Sequence, residues 1–474
     1  MIDGTPATDA GDERPLESVP PSPPLRRQPG LLRRMFEQPH AVLDELRAEY
    51  GPVVRLGAGP LRMVVVGAPV ALTEMFAMST ESFRWNHRFN VLGFVVGKRS
   101  MIVSDGELHR RRRRAVQSAF SRKRLNGWIP MILGRADLAS DLAGQLAHSR
   151  SGPIDLYPIG RSLVLGVAVE AFFGGDLAAR TDEIGRLMQA PQDYLESPAI
   201  RQLPHPLPWT ARAHVRADRK ALDAIIDDAI ERRRASALAD PDDVLDQLVS
   251  DGVLDDAEIR DQVVTLIGAG YDTTAATLAW ALVCASRTPG VWGRLQEEAD
   301  RVLPADPAQA DHTTLAALTF ADAVVHETLR LHPAGVLSPR EAATDMTLGG
   351  HPITKGTMIL WSPHLAGRDR DSWARPLEFD PDRFLAGGVH RDAVDVAWVP
   401  FGGGTRNCLG FALAQIELTL VLSRLAQRLD LEPPISSIPE PVGMVVNRPV
   451  GGAPALVARR VAVDGADRGH RAVP

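Results

Sequence analysis

Apolar residues first recur at helical spacing where Val42, Leu43, Leu46 and Tyr50 mark one face of a helix over Pro39–Tyr50. Two short apolar runs follow, Val53–Leu56 and 61–66, split by Gly57-Ala58-Gly59-Pro60, which is the pattern of a β-hairpin. From Leu108 to Leu303 the spacing is almost entirely helical, interrupted by a proline-rich stretch at 204–208. Within it, residues 263–284 carry so few charges that they mimic a membrane span, yet Asp272 lies near the middle beside Gly268, Gly270 and four threonines. A central Asp costs about 2.5–3.5 kcal/mol on insertion, so a buried core helix is expected instead. After Pro333 the pattern is mixed, with turn signals at Gly349-Gly350 and Lys355-Gly356. A strongly apolar helix over 410–428 and short strand-like runs close the chain. The expected class is mainly α with minor β, without internal repeats.

Composition narrows the class. At about 150 residues per domain, 474 residues would allow roughly three domains. The 53 basic and 59 acidic residues leave a net charge of −6, which gives no global case for nucleic-acid binding. Only two cysteines, Cys284 and Cys408, exclude a disulfide framework and a four-cysteine zinc site, and fit a reducing, cytoplasmic compartment. The first 24 residues carry acids and prolines without an apolar run, so neither a signal peptide nor a membrane anchor is expected, and Pro20-Pro21-Ser22-Pro23-Pro24 reads as a stiff leader.

The densest chemical signal is Phe401-Gly402-Gly403-Gly404-Thr405-Arg406-Asn407-Cys408-Leu409-Gly410, followed by a helix. Glycines let backbone approach a large flat ligand. A cysteine just before a helix meets free N–H groups and the positive end of the dipole, both of which favour a thiolate able to bind iron. Arg406 is placed to pair with an anionic group of the same ligand. Taken alone, Cys408 also reads as a buried core thiol. A phosphate-binding loop lacks its Gly-Lys-Ser/Thr, and a nucleophilic cysteine lacks an identifiable histidine base.

The segment resembles the haem-binding loop of the cytochrome P450 monooxygenases, Phe-x-x-Gly-x-Arg-x-Cys-x-Gly, and other family motifs follow in family order. Glu327-Thr328-Leu329-Arg330 resembles the Glu-x-x-Arg helix, and residues 376–384, ending Pro381-Asp382-Arg383-Phe384, resemble the Pro-Glu-Arg-Phe segment with Asp382 replacing its Glu. The resemblance implies a Glu327–Arg330–Arg383 network that shapes the haem face. Ala269-Gly270-Tyr271-Asp272-Thr273-Thr274 resembles the oxygen-binding motif. There Gly270 leaves room for a small ligand, and Asp272 with Thr273 supplies the acid and alcohol of a proton relay. In the run His109-Arg110-Arg111-Arg112-Arg113-Arg114, His109 and Arg113 match positions that hold haem carboxylates, as does Arg340. The remaining arginines are expected in solvent on the cysteine side, facing an acidic electron-transfer protein.

The resemblance implies a single-domain cytochrome P450 fold over 29–462, with a flexible leader at 1–28 and a flexible tail at 463–474. It also implies heme b (iron-protoporphyrin IX) with Cys408 as metal ligand, and Phe401, Arg406 and Gly410 among the cofactor-binding residues. No nicotinamide- or flavin-binding region is seen, so electrons are expected from a ferredoxin and ferredoxin reductase or their equivalent. The expected activity is insertion of one atom of O2 into a lipophilic small molecule, by hydroxylation or epoxidation, in secondary metabolism. A peroxide-using or isomerase variant of the fold, and a non-catalytic haem-thiolate sensor, are the alternatives. By family analogy the pocket is lined by stretches 83–103, 191–210, 266–269, 336–337 and 443–446, with Phe89, Phe94, Met101, Leu266, Val336 and Met444 prominent. Residues 401–417 and 361–384 resemble the membrane-type branch of the family.

Overall fold

The computed structural model describes residues 18–87, 90–197, 199–202, 209–235, 243–386 and 396–460. Proline at the first or second helical position starts the helices Gln28–Glu37, Pro39–Tyr50 and Pro69–Ala77, where its missing N–H costs nothing and its φ is already helical. Between them lies the expected hairpin, Val53–Leu56 and Met63–Val66. Its second strand starts later than the apolar run because Gly59–Leu61 forms a short 3-10 turn. The hairpin belongs to a five-stranded sheet in the order Val53–Leu56, Met63–Val66, Met358–Trp361, Ser338–Ala342, Phe83–Arg84. One pairing, Met63–Val66 with Met358–Trp361, is parallel and joins strands nearly 300 residues apart in the chain. Antiparallel register then sets Arg340 opposite Ile359.

The helical body is built on Asp256–Arg287, whose N-terminus carries a reciprocal capping box between Asp255 and Glu258. It packs against Tyr157–Ala178, Thr319–Leu331 and Phe411–Arg428. Nearly every residue from Ile259 to Ala285 is buried, so the membrane-like stretch is a core helix. Trp280 is fully buried with its ring stacked on His332 at 3.7 Å. Each fully buried Leu, Ile or Val here contributes about 1.5–3 kcal/mol of burial. Another helix segment, Tyr157–Gly175, is long and apolar enough to cross a membrane, and 67% of that apolar window is buried against the rest of the fold.

The chain folds as one body rather than three domains. One apolar cluster runs from Met101 to Ala455, and smaller ones sit under the sheet. The stretch read as a leader is attached from Ser18 onward. Arg55 donates its N–H to the Pro21 carbonyl at 2.8 Å, and buried Gln28 accepts the Gly57 N–H at 2.8 Å. Residues 1–17 and the tail from 461 lie outside the described residues, as do 204–208 and Phe89.

Candidate functional site

Cys408 closes the glycine-rich loop by donating its N–H to the Phe401 carbonyl at 2.8 Å. Gly402 and Gly404 have φ of +69° and +66°, where a side chain is strained. A Cβ at Gly404 would overlap the Phe76 carbonyl oxygen, and one at Gly403 would crowd the Phe76 ring. These glycines therefore admit the end of helix Pro69–Ala77, rather than only a ligand as the sequence suggested. Gly410 is different: a Cβ there would meet open space at the cavity wall, beside the start of helix Phe411–Arg428.

The Cys408 thiol is reachable by water although protein surrounds it, because its open side is an internal cavity. Burial pushes its pKa up; the Gly410 N–H, the Arg113 guanidinium and the Phe411 N–H pull it back. The cavity has two lobes of about 420 and 320 Å3, which share Cys408, Phe401, Arg406, Ala269 and Thr273. Asp272 and Arg340 line the larger lobe; His109, Arg113 and Gly410 line the smaller. Every expected catalytic, cofactor-binding and metal-binding residue thus meets one space. Glu327, Arg330 and Arg383 form their own buried group outside it.

In the cavity that Cys408 lines, the long helix opens its otherwise buried surface at Gly268, Ala269, Gly270 and Thr273. A Cβ at Gly270 would meet nothing within 4 Å, the room its sequence position implied. Thr273 donates its hydroxyl back to the Ala269 carbonyl at 2.7 Å. Asp272 is buried, with one carboxylate oxygen 3.3 Å from Arg161 Nε and 3.4 Å from the Tyr157 hydroxyl. Sequence reading missed this partnership, since helix Tyr157–Ala178 is distant in the chain and Arg161 carries no local signal. Arg161 also bonds the Tyr271 hydroxyl and Gln192, and it is partly open to solvent.

The cations are arranged for an anion. Arg340 is buried inside an aromatic box, 4.9 Å from the Phe83 ring, 5.2 Å from Trp85 and 5.5 Å from Phe76. Among the described residues it has no hydrogen-bond acceptor and no ion pair, and burial followed by the nearby Arg406 pushes its pKa down to about 10. Arg406 lies 3.8 Å over the Trp85 ring, donates to the Ser104 carbonyl at 2.6 Å and keeps Nε unpartnered. Burial also lowers it to about 10. Trp361 Nε1, on the same wall, has no acceptor either. His109 is held neutral, pushed down to about 3 by burial and then by Arg406, Arg113 and Arg110. Arg113 bonds both the carbonyl and the side-chain oxygen of Asn407, at 2.9 and 2.7 Å, clamping the residue before Cys408.

Arg112 corrects the sequence reading, which left the other arginines in solvent. His109, Arg112 and Val116 share the buried face of helix Gly106–Ser118, and Arg112 reaches Glu258 at 2.7 Å and the Ser104 hydroxyl at 2.6 Å. The capping glutamate of the long helix supplies its counter-charge. Several residues named for the pocket also sit elsewhere. Phe94 tilts against Tyr194 under Arg212, and Val336 is packed in the core, leaving Leu337 at the wall.

A family model described as Cytochrome P450 matches residues 20–453. The chain belongs to the cytochrome P450 family. It is 33% identical over 391 residues to cytochrome P450 139 of Mycobacterium tuberculosis, covering 81% of this chain and 89% of that protein. It is 31% identical over 412 residues to cyclooctatin synthase of Streptomyces melanosporofaciens, covering 84% and 87%. Its fold matches the structure of retinoic acid bound cyanobacterial CYP120A1, with a TM-score of 0.80 and 23% identity over 94% of this chain and 100% of that one. The protein is a P450 monooxygenase, an oxidoreductase whose cofactor is haem held by a cysteine thiolate, working with O2, a redox partner and lipophilic substrates in general. The residues present fit that group. An apolar slot faces a helix-start thiol, and buried guanidinium and indole N–H groups lack acceptors where an anionic edge would lie.

Proposed function

We propose that this P450 inserts one oxygen atom from O2 into a lipophilic small molecule, by hydroxylation or epoxidation. The single observation that carries the reading is that Cys408 and the opened face of the long helix at Thr273 line the same cavity. Haem, when bound, supplies the activation of O2 and the oxygen-transfer chemistry.

The chain's own residues have separate tasks in this reading. Cys408 is the metal ligand; the Gly410 N–H, Arg113 and the Phe411 N–H favour its anionic form against the burial that opposes it. Arg340 and Arg406, with His109 and Arg113 beside them, hold the anionic edge of the cofactor. Phe401 and Gly410 shape the wall next to the ligand. Asp272 takes protons from the solvent side, where Arg161 and Tyr157 hold it, and passes them toward the Thr273 hydroxyl at the cavity surface. Leu92, Val95, Ile102, Leu337 and Val446 form an apolar wall that excludes water from a bound substrate.

The substrate class is supported by this apolar lining and by two similar proteins, one named cyclooctatin synthase and one solved with retinoic acid bound. Electrons would come from a separate ferredoxin and ferredoxin reductase, in the cytoplasm, in the service of secondary metabolism. The test is turnover with such a redox pair, isotope-labelled O2 and a panel of terpenoids, fatty acids and polyketides. One labelled oxygen in the product supports the reading. NADH consumption without any oxygenated product across the panel contradicts it.

A further inference from the structure

Glu196 stands just past the end of helix Thr181–Leu195, at the wall of the larger lobe. Its carboxylate accepts three successive backbone N–H groups from a segment some 250 residues away. Met444 donates at 3.0 Å and Val445 at 3.4 Å to one oxygen, and Val446 donates at 2.7 Å to the other. Gly443, with φ of +99°, makes the turn that aligns them; a Cβ there would overlap the Val446 carbonyl. Among the described residues Glu196 has no cationic partner, so its charge rests on these N–H groups.

The hairpin of Pro441–Val442 and Arg448–Pro449 is fixed by the fully buried Asn447, the loop residue that follows Val446. Asn447 donates to the Ala334 and Pro333 carbonyls at 2.8 and 3.1 Å, and its own carbonyl accepts the Trp280 indole N–H at 3.1 Å. Its tip, Met444 to Val446, spends every backbone N–H on Glu196. Leu195, Glu196, Val445 and Val446 all line the cavity, so this side chain bridges a seam in its wall.

We propose that Glu196 is a specificity-determining clasp: by gripping the hairpin tip it holds the seam shut and sets how large a molecule enters the cavity, and how fast. This rests on the reading of the cavity as the substrate site. A molecule small enough for the standing openings needs no release of the clasp, whereas a bulky one must wait for three charge-assisted hydrogen bonds to part together.

The haem-loaded protein and its Glu196→Gln and Glu196→Ala variants test this by stopped-flow optical binding of imidazole and of the bulky azole clotrimazole. Removing the carboxylate should raise both the association and the dissociation rate of clotrimazole by about tenfold. Glu196→Gln, which keeps the shape but loses the charge, should fall between. Imidazole rates should stay within about twofold, since that ligand does not need the clasp to open. Unchanged clotrimazole rates overturn the proposal, as does an equal rise for both ligands, which marks a loosened fold. No optical shift with either azole in the wild type would overturn the reading of the cavity itself, and the clasp with it.

Discussion

The Glu327 carboxylate meets the Arg330 guanidinium twice, at 2.6 and 2.8 Å, one helical turn apart with neither side chain open to solvent. Arg383 joins Glu327 at 3.2 Å, and the Asp380 N–H donates to the same oxygen at 2.8 Å. The remaining guanidinium donors end on carbonyls of Gly367, Pro376 and Glu378 for Arg330, and of Ala374 and Arg375 for Arg383. A buried network satisfied this fully specifies the path of the 367–383 segment more than it adds stability. Asp382, the departure from the family segment, lies outside it in an exposed pair with Arg294.

Glu327→Ala leaves two guanidinium groups buried without their carboxylate, a loss of about 3–5 kcal/mol. Chemical denaturation should show the midpoint falling accordingly, with little haem recovered on purification. A variant of normal midpoint and full haem content would remove the network from the account.

Arg340 predicts the opposite balance. Its guanidinium has no acceptor among the described residues, so Arg340→Met removes a desolvated charge and loses only its cation–π contacts. Stability of the haem-free protein should change by no more than about 1 kcal/mol, while haem passes to apomyoglobin several times faster than from the wild type. Equal transfer rates would show that Arg340 does not hold the cofactor.

Thr273→Ala removes a hydroxyl whose structural bond, to the Ala269 carbonyl, is worth about 0.5–1.5 kcal/mol. The variant should fold and load haem, yet yield more hydrogen peroxide per NADH. Asp272→Asn should lower the rate of product formation as well, because it also breaks the contact with Arg161. Full coupling in both variants would exclude the proton route.

Acid should destabilise the protein through its buried histidines. His40 is lowered to about 3 and His364 to about 4 by burial first, and His332 lies well below the usual value for the same reason. His40 and His364 face Asp44, Arg368 and each other; Arg368 and Arg330 also oppose a proton on His332. The unfolded chain takes up these protons near pH 6.5, before the folded one does. Stability is therefore complete above that pH and falls as pH drops toward 4, by up to about 1.4 kcal/mol per unit for each histidine. Urea melts across this range should show the slope, and His364→Gln should reduce it. A flat profile would mean that these rings are already solvated.

Much of this was readable because the motifs are local. The loop into Cys408, the Glu327/Arg330 spacing and the Asp272-Thr273 pair each lie within a few residues, and the structure places them at one cavity or in one network. Contacts between distant segments were not readable. Nothing near Asp272 announces Arg161 on another helix, and nothing near Glu196 announces the tip of a hairpin. The basic run misled for a related reason. Helical periodicity turns Arg112 inward, but only the fold shows that Glu258 waits there. The three-domain reading failed because length alone says nothing of how far one core extends.

The difference spectrum of the reduced, CO-bound protein decides whether Cys408 is the thiolate ligand. The wild type should show the red-shifted Soret band of a thiolate-bound haem. Cys408→His, which can still bind the iron, should retain haem and lose that shift. A Cys408→His spectrum identical to the wild type would contradict the assignment on which the rest of the site depends.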